Sequence, residues 1–292
     1  MKKFLAFWWG RISAFLLLFY IINQALGLIA DQIGIVNAVY YEPVLVISMM
    51  LASLMIESWR AESRASLFGI QLDNQFFKNI FLGLFLVLTS YIVIIAARKL
   101  TGSVFTVNPE FTKDLLFKTI AICLLVAIYE EIFARGIIFQ ALIEKFGVYT
   151  SSIFVSVIFA TLHLFNPSIS VISFLVTFFA SLILCAMYIQ TKSLWLPISF
   201  HFFWNLLQIL FLDSNVSGIY FVKYLLISKQ ENLLEKWGFG GVYGIEGGLI
   251  VLILEILIFI FVLKVPKTKP EINALLFKRS IAESKLREKK AK

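Results

Sequence analysis

The sequence predicts an all-α fold, a polytopic transmembrane helical bundle of about eight spans, with seven as the alternative count. Three observations carry this. Of 292 residues, 60% are hydrophobic and 15% charged, against roughly 45–50% apolar and about 25% charged in soluble domains. Apolar runs of about 20 residues, the length that crosses a hydrocarbon core of roughly 30 Å, recur along the chain. Basic residues gather near the ends and in one loop, where topology signals belong.

The first run, 4 to 29, follows Lys2 and Lys3. A secretory signal peptide fits the same pattern, with Ala25-Leu26-Gly27 as a loose cleavage site. Arg11 interrupts the apolar stretch early and favours an uncleaved span, its side chain snorkelling to the near interface. A second span covers 36 to 57. The loop 58 to 78 carries Arg60, Arg64 and Lys78, and Trp59, Phe68, Phe76 and Phe77 suggest a helix lying in the interface. Spans at 79 to 97 and 115 to 142 follow. The stretch 142 to 212 is almost continuously apolar; Gly147, Asn166-Pro167 and Lys192 cut it into 149 to 166, 168 to 190 and 194 to 212. Gly238 to Gly248 lacks a phosphate-binding pattern and reads as a flexible turn before the last span, 247 to 264.

No repeat, linker or soluble unit divides the chain, so residues 1–292 read as a single integral-membrane domain. The net charge is +8, and Lys264 to Lys292 holds ten Lys or Arg against three Glu. The excess therefore belongs to the tail 265–292, which points to anionic membrane lipids as its partner and away from nucleic acid. Ile272, Leu275, Leu276 and Ile281 give that tail an amphipathic face. Eight spans put both basic ends on one side, the cytoplasmic one. Cys123 and Cys185 fall within spans and read as reduced packing residues.

A charge in mid-membrane costs roughly 2.5–3.5 kcal/mol on the insertion scale, so each one needs a reason. The fourth span holds three: Glu130, Glu131 and Arg135. Glu131 and Arg135, four residues apart, share a helix face and can pair; Glu130 points about 100° away and is presented elsewhere. A carboxylate in a low-dielectric cavity is suited to act as a general base on water. The alternative is an ion-pair cluster that only holds the bundle together. His163 and His201 are the two histidines of the chain, and both fall in predicted spans. Phe159 precedes His163 by four residues and Asn205 follows His201 by four, so each pair shares a face. Counted from the presumed cytoplasmic helix ends, Glu130 lies roughly 18 Å deep, His163 about 21, His201 about 10 and Asn205 about 16. One cavity can hold them.

In order, Glu130-Glu131 with Arg135, Phe159 with His163, and His201 with Asn205 resemble the E-E-x-x-x-R, F-x-x-x-H and H-x-x-x-N/D motifs of the CAAX-protease and bacteriocin-processing (CPBP, or Abi) family, which includes the Ras-converting CAAX endopeptidase. The resemblance covers roughly residues 66–212, the expected catalytic core. It implies intramembrane hydrolysis of a peptide bond in a membrane-associated peptide or protein. Carried over, the catalytic set is Glu130, His163, His201 and Asn205. Glu130 and His163 would activate water, and His201 with Asn205 would bind the oxyanion. Glu131, Arg135 and Phe159 would support them. Bacterial relatives are associated with peptide maturation and bacteriocin self-immunity, and the composition suggests a bacterial plasma-membrane protein.

Three alternatives stay open. A zinc-dependent version would bind its metal through Glu130, His163 and His201; no H-E-x-x-H helix is present, and a metal-independent mechanism without cofactor is the favoured form. A scaffold, regulator or immunity protein of the same fold would use the site without chemistry. A proton-coupled transporter would relay through Glu130, the histidines and Glu255, which is otherwise an interhelical hydrogen-bonding residue. The substrate and the oligomeric state are not legible.

Overall fold

The computed structural model describes residues 2–5, 7–34, 38–59, 69–70, 72, 74–220, 224–229 and 233–265. Within them, eight long helices build the bundle: α1 (Trp8–Gln32), α2 (Ala38–Trp59), α3 (Phe76–Leu100), α4 (Lys113–Glu131), α5 (Phe139–Leu162), α6 (Val171–Thr191), α7 (Trp195–Phe211) and α8 (Leu249–Lys264). The all-α bundle read from the apolar runs is the fold observed. Helices α1, α3 and α6 are each long and apolar enough to cross a membrane, and the chain is an integral membrane protein. The predicted tail helix beyond Pro270, and Phe68 with most of its loop, lie outside the described residues.

The fourth apolar run is longer than a simple span. Helix α4 starts at Thr112, whose side chain caps Leu115 N at 3.3 Å. It then continues through a wider, kinked π-helical stretch, Ile132–Ile138, into α5. Gly136 departs from helical geometry within that stretch, with ψ −115°. The break in direction comes at Gly147, where φ is +76°, a conformation that costs glycine little and other residues more. Such π stretches are frequent at functional sites; this one follows directly on Glu130 and Glu131.

Two large apolar clusters and a smaller third hold the bundle. Phe15 of α1, Ile56 of α2, Ala127 of α4, Ile132 and Phe139 form one. Val87 and Tyr91 of α3, Ile183 of α6, Phe200 of α7 and Val262 of α8 form the other. Ile122 and Val126 of α4 meet Ile209 of α7 between them. Helix α3 approaches α7 closely at Gly83, where an added Cβ would stand 2.5 Å from Ser199 Oγ and 2.9 Å from Phe200 N. Small residues permit such contact, and dispersion between close helices is what drives association where lipid tails are as apolar as side chains. The opposite face of α3 leaves Phe77, Phe81, Phe85 and Ile92 exposed at helical spacing, as a lipid-facing surface requires. A short antiparallel pair, β1 (Val104–Val107) with β2 (Leu226–Lys229), closes one end of the bundle.

Three sequence expectations change. Arg11 does not snorkel to an interface: it is 2% exposed, and its Nη1 meets Glu144 Oε1 at 2.6 Å while Nη2 meets Oε2, tying α1 to α5. A bidentate partner inside the protein satisfies the guanidinium better than a stretched route to water. Phe76 and Phe77 do not belong to an interfacial helix; they open α3, and Trp59 closes α2. The glycine-rich stretch is packed, since a Cβ on Gly244 would stand 1.9 Å from Asn215 O. Glycines there permit close backbone approach.

Candidate active site

A cavity of about 360 Å³ opens between α2, α4, α5, α6 and α7. All four residues expected to carry chemistry, Glu130, His163, His201 and Asn205, line it together with Tyr129 and Phe159. The two glutamates differ in their surroundings, as their 100° separation anticipates. The Glu130 side chain is 20% exposed and its Oε1 accepts from the Tyr129 hydroxyl at 3.3 Å. Glu131 is fully buried, paired through Oε1 with Arg135 Nη1 at 3.1 Å.

Arg135 is equally buried, and α6 supplies the rest of its partners. Its Nη2 donates to Ser181 O at 3.0 Å and Ser181 Oγ at 2.6 Å. Its guanidinium lies 5.0 Å from the centre of the Phe159 ring, within cation–π range. One cation thus ties the π stretch to α5 and α6. Phe159 in turn stands 4.6 Å, centroid to centroid, from the His163 ring.

The two histidines face different partners. His163 lies on a single 3₁₀ turn, His163–Phe165, that ends α5. Its Nδ1 is 2.8 Å from Phe159 O. A carbonyl only accepts, so Nδ1 donates, and Nε2 is the ring nitrogen left to face the cavity's chemistry. His201, on α7, turns toward the glutamates: Nδ1 lies 3.0 Å from Glu131 Oε1 and Nε2 3.8 Å from Glu130 Oε2. The doubly protonated ring would donate toward both carboxylates. Residue counting put His201 nearer the membrane face than Glu130; in the fold the two side chains meet, at 3.8 Å. Asn205, one turn further on α7, is 5% exposed at the cavity wall.

Among the described residues, no group of three His, Cys, Asp or Glu side chains is arranged to hold a metal ion. Glu130, His163 and His201 line one cavity without forming such a group, so the residues do not fit the zinc alternative.

Sequence reasoning missed Tyr129, Ser181 and, above all, Glu246. Glu246 lies in the glycine-rich segment before α8 and lines the same cavity. It accepts from Trp204 Nε1 at 3.2 Å, Ser217 N at 2.6 Å and Ser217 Oγ at 2.8 Å. Burial pushes its carboxyl above the ordinary value; the Ser217 bonds and the nearby His163 and His201 oppose that shift. An acid among glycines next to an apolar span was the available signal. Glu255, from α8, is 3% exposed and also lines the cavity.

Residues 112–207, about a third of the chain, match the family model described as type II CAAX prenyl endopeptidase Rce1-like. That stretch contains every motif residue from Glu130 to Asn205. No curated protein matches the chain.

Proposed function

We propose that this chain, which by its residues 112–207 belongs to the CAAX-protease (CPBP) family, is an endopeptidase that hydrolyses a peptide bond of a membrane-associated substrate with water activated by Glu130. One observation carries the reading. Of two adjacent carboxylates, Glu131 is locked to Arg135 out of solvent, while Glu130 stays accessible in a cavity shared with both histidines.

In this mechanism Glu130 takes a proton from water as the oxygen attacks the scissile carbonyl, with Tyr129 orienting the carboxylate. His163 Nε2 accepts the water's second hydrogen. His201, protonated and held by Glu131, donates from Nε2 to the oxygen that becomes negative, and the Asn205 amide joins it. Each such donor is worth roughly 2.7–4 kcal/mol in well-measured enzymes. As the tetrahedral intermediate collapses, the C–N bond breaks and Glu130 passes its proton to the leaving amine. Arg135, Ser181 and Phe159 hold the glutamate turn in place.

The core so assigned is residues 66–212, with the basic tail 265–292 against lipid headgroups. The basic Lys2, Lys3 and tail support a reading with both termini on the cytoplasmic side of a bacterial plasma membrane. Purified protein in proteoliposomes, offered a lipidated C-terminal peptide, tests the mechanism. Cleavage is expected to survive exhaustive chelation and to vanish in Glu130→Gln. Equal cleavage by the variant would overturn it.

A further inference from the structure

The family match ends at residue 207, but the cavity does not. Val216, Ser217 and Ile219 also line it, on a tight turn in the segment after α7. Val216 N meets Ile219 O at 3.1 Å and Ile219 N meets Val216 O at 2.8 Å. Both central residues have positive φ, +48° at Ser217 and +81° at Gly218, as a type I′ turn requires. Gly218 is needed twice over, because a Cβ there would stand 2.3 Å from Pro167 O.

The turn is held from both sides. Asn166, three residues beyond His163, donates from Nδ2 to Ser217 O at 2.9 Å. Gly218 N donates to Tyr243 O at 2.8 Å. Glu246 then engages both the backbone and the hydroxyl of Ser217 with one oxygen and the Trp204 indole with the other. Its three partners all donate, so only a carboxylate, an acceptor at both oxygens, satisfies them together. A glutamine in its place turns an N–H₂ toward at least one donor. Trp204 is adjacent to Asn205 on α7, which places this carboxylate between the wall that carries Asn205 and the turn that faces it.

We propose that residues 216–219 form a substrate-contacting wall of the cavity, and that Glu246 is the positioning residue that fixes this wall against α7. The substrate half of the proposal rests on the peptidase reading; the wall itself does not. Val216 and Ile219 make the wall apolar, which suits an apolar side chain or lipid chain of the substrate. They touch substrate away from the reacting atoms, so loosening the wall raises KM more than it lowers kcat.

The test uses the full chain carrying Val216→Cys, a 7% exposed position, in membranes. A bulky, water-soluble maleimide reports on it, and the buried native Cys123 and Cys185 report global unfolding. Adding Glu246→Ala is expected to raise labelling at residue 216 by about tenfold or more, the equivalent of losing one charge-assisted bond, with Cys123 and Cys185 still protected. Glu246→Gln falls between. On peptide substrate, in the otherwise native chain, KM rises in the same order while kcat changes less. Unchanged labelling at 216 would overturn the wall. Raised labelling with unchanged KM would overturn its contact with substrate, and absence of all cleavage in wild type would strike the peptidase reading alone. If Glu246→Ala also exposes Cys123 and Cys185, Ser217→Ala decides: several-fold faster labelling at 216 supports the proposal, and none refutes it.

Discussion

Replacing Arg135 by methionine isolates the ion pair on which the glutamate turn rests. The substitution removes the guanidinium from Glu131 at 3.1 Å, from Ser181 O and Oγ at 3.0 and 2.6 Å, and from the Phe159 ring at 5.0 Å. Glu131 is then left as a fully buried carboxylate with His201 as its remaining partner. Breaking a buried pair on one side typically costs about 3–5 kcal/mol, which for a chain of this size lowers the unfolding midpoint on the order of 10 °C. Replacing both partners, as Glu131→Leu with Arg135→Met, removes the stranded charge and is expected to recover half or more of that loss. A cycle of the four proteins in detergent, read by thermal unfolding, gives the coupling between the two sites; about 1.5 kcal/mol or more is expected. A single variant as stable as wild type, or a double variant no better than the single, would refute the assignment of Arg135 as the neutralising partner.

Gly83→Leu is expected to force α3 from α7, because a Cβ alone would already stand 2.5 Å from Ser199 Oγ. A cost of about 1–3 kcal/mol or more in unfolding measurements follows from overpacking, whereas Phe85→Leu on the lipid face should change little. Arg11→Ala removes the bidentate guanidinium from the 8% exposed Glu144 and should destabilise by about 1.5–3 kcal/mol, as loss of a hydrogen bond to a charged group does, with Arg11→Ala/Glu144→Ala recovering part of it in the same assay. The Glu246 carboxyl is held above its ordinary value of 4.5 by burial, so the folded state binds its proton more tightly than the unfolded chain does. Its contribution to stability is therefore largest below about pH 4.5 and declines as pH rises through the folded-state value. Glu246→Gln should lack that decline in unfolding measured across pH, and an unaltered pH slope would contradict it.

The spans were legible because composition and run length alone force them. Of the cuts within 142–212, Asn166-Pro167 and Lys192 fall close to observed helix ends, and Gly147 falls on the non-helical residue inside α5. The motif residues were legible because charge and imidazole are costly in apolar runs, so Glu130, Glu131, Arg135 and the two histidines stood out by type. What pairs with what was only partly legible. Helical spacing anticipates Glu131 with Arg135 and Phe159 with His163. It carries no information on contacts between helices, and so missed Ser181 beneath Arg135, Glu144 opposite Arg11 and His201 between the two glutamates. Glu246 escaped for a different reason. Glycines signal flexibility and close packing alike, and only the tertiary fold shows that this segment is packed against the turn at Ser217.

The central claim, that Glu130 is the base of a peptidase, is tested most directly by comparing the peptides released from membranes that carry the wild-type chain with those that carry Glu130→Gln at equal abundance. The variant is expected to insert and unfold like wild type yet fail to release one or more peptides present in the wild-type profile. Identical profiles from the two membranes would contradict it.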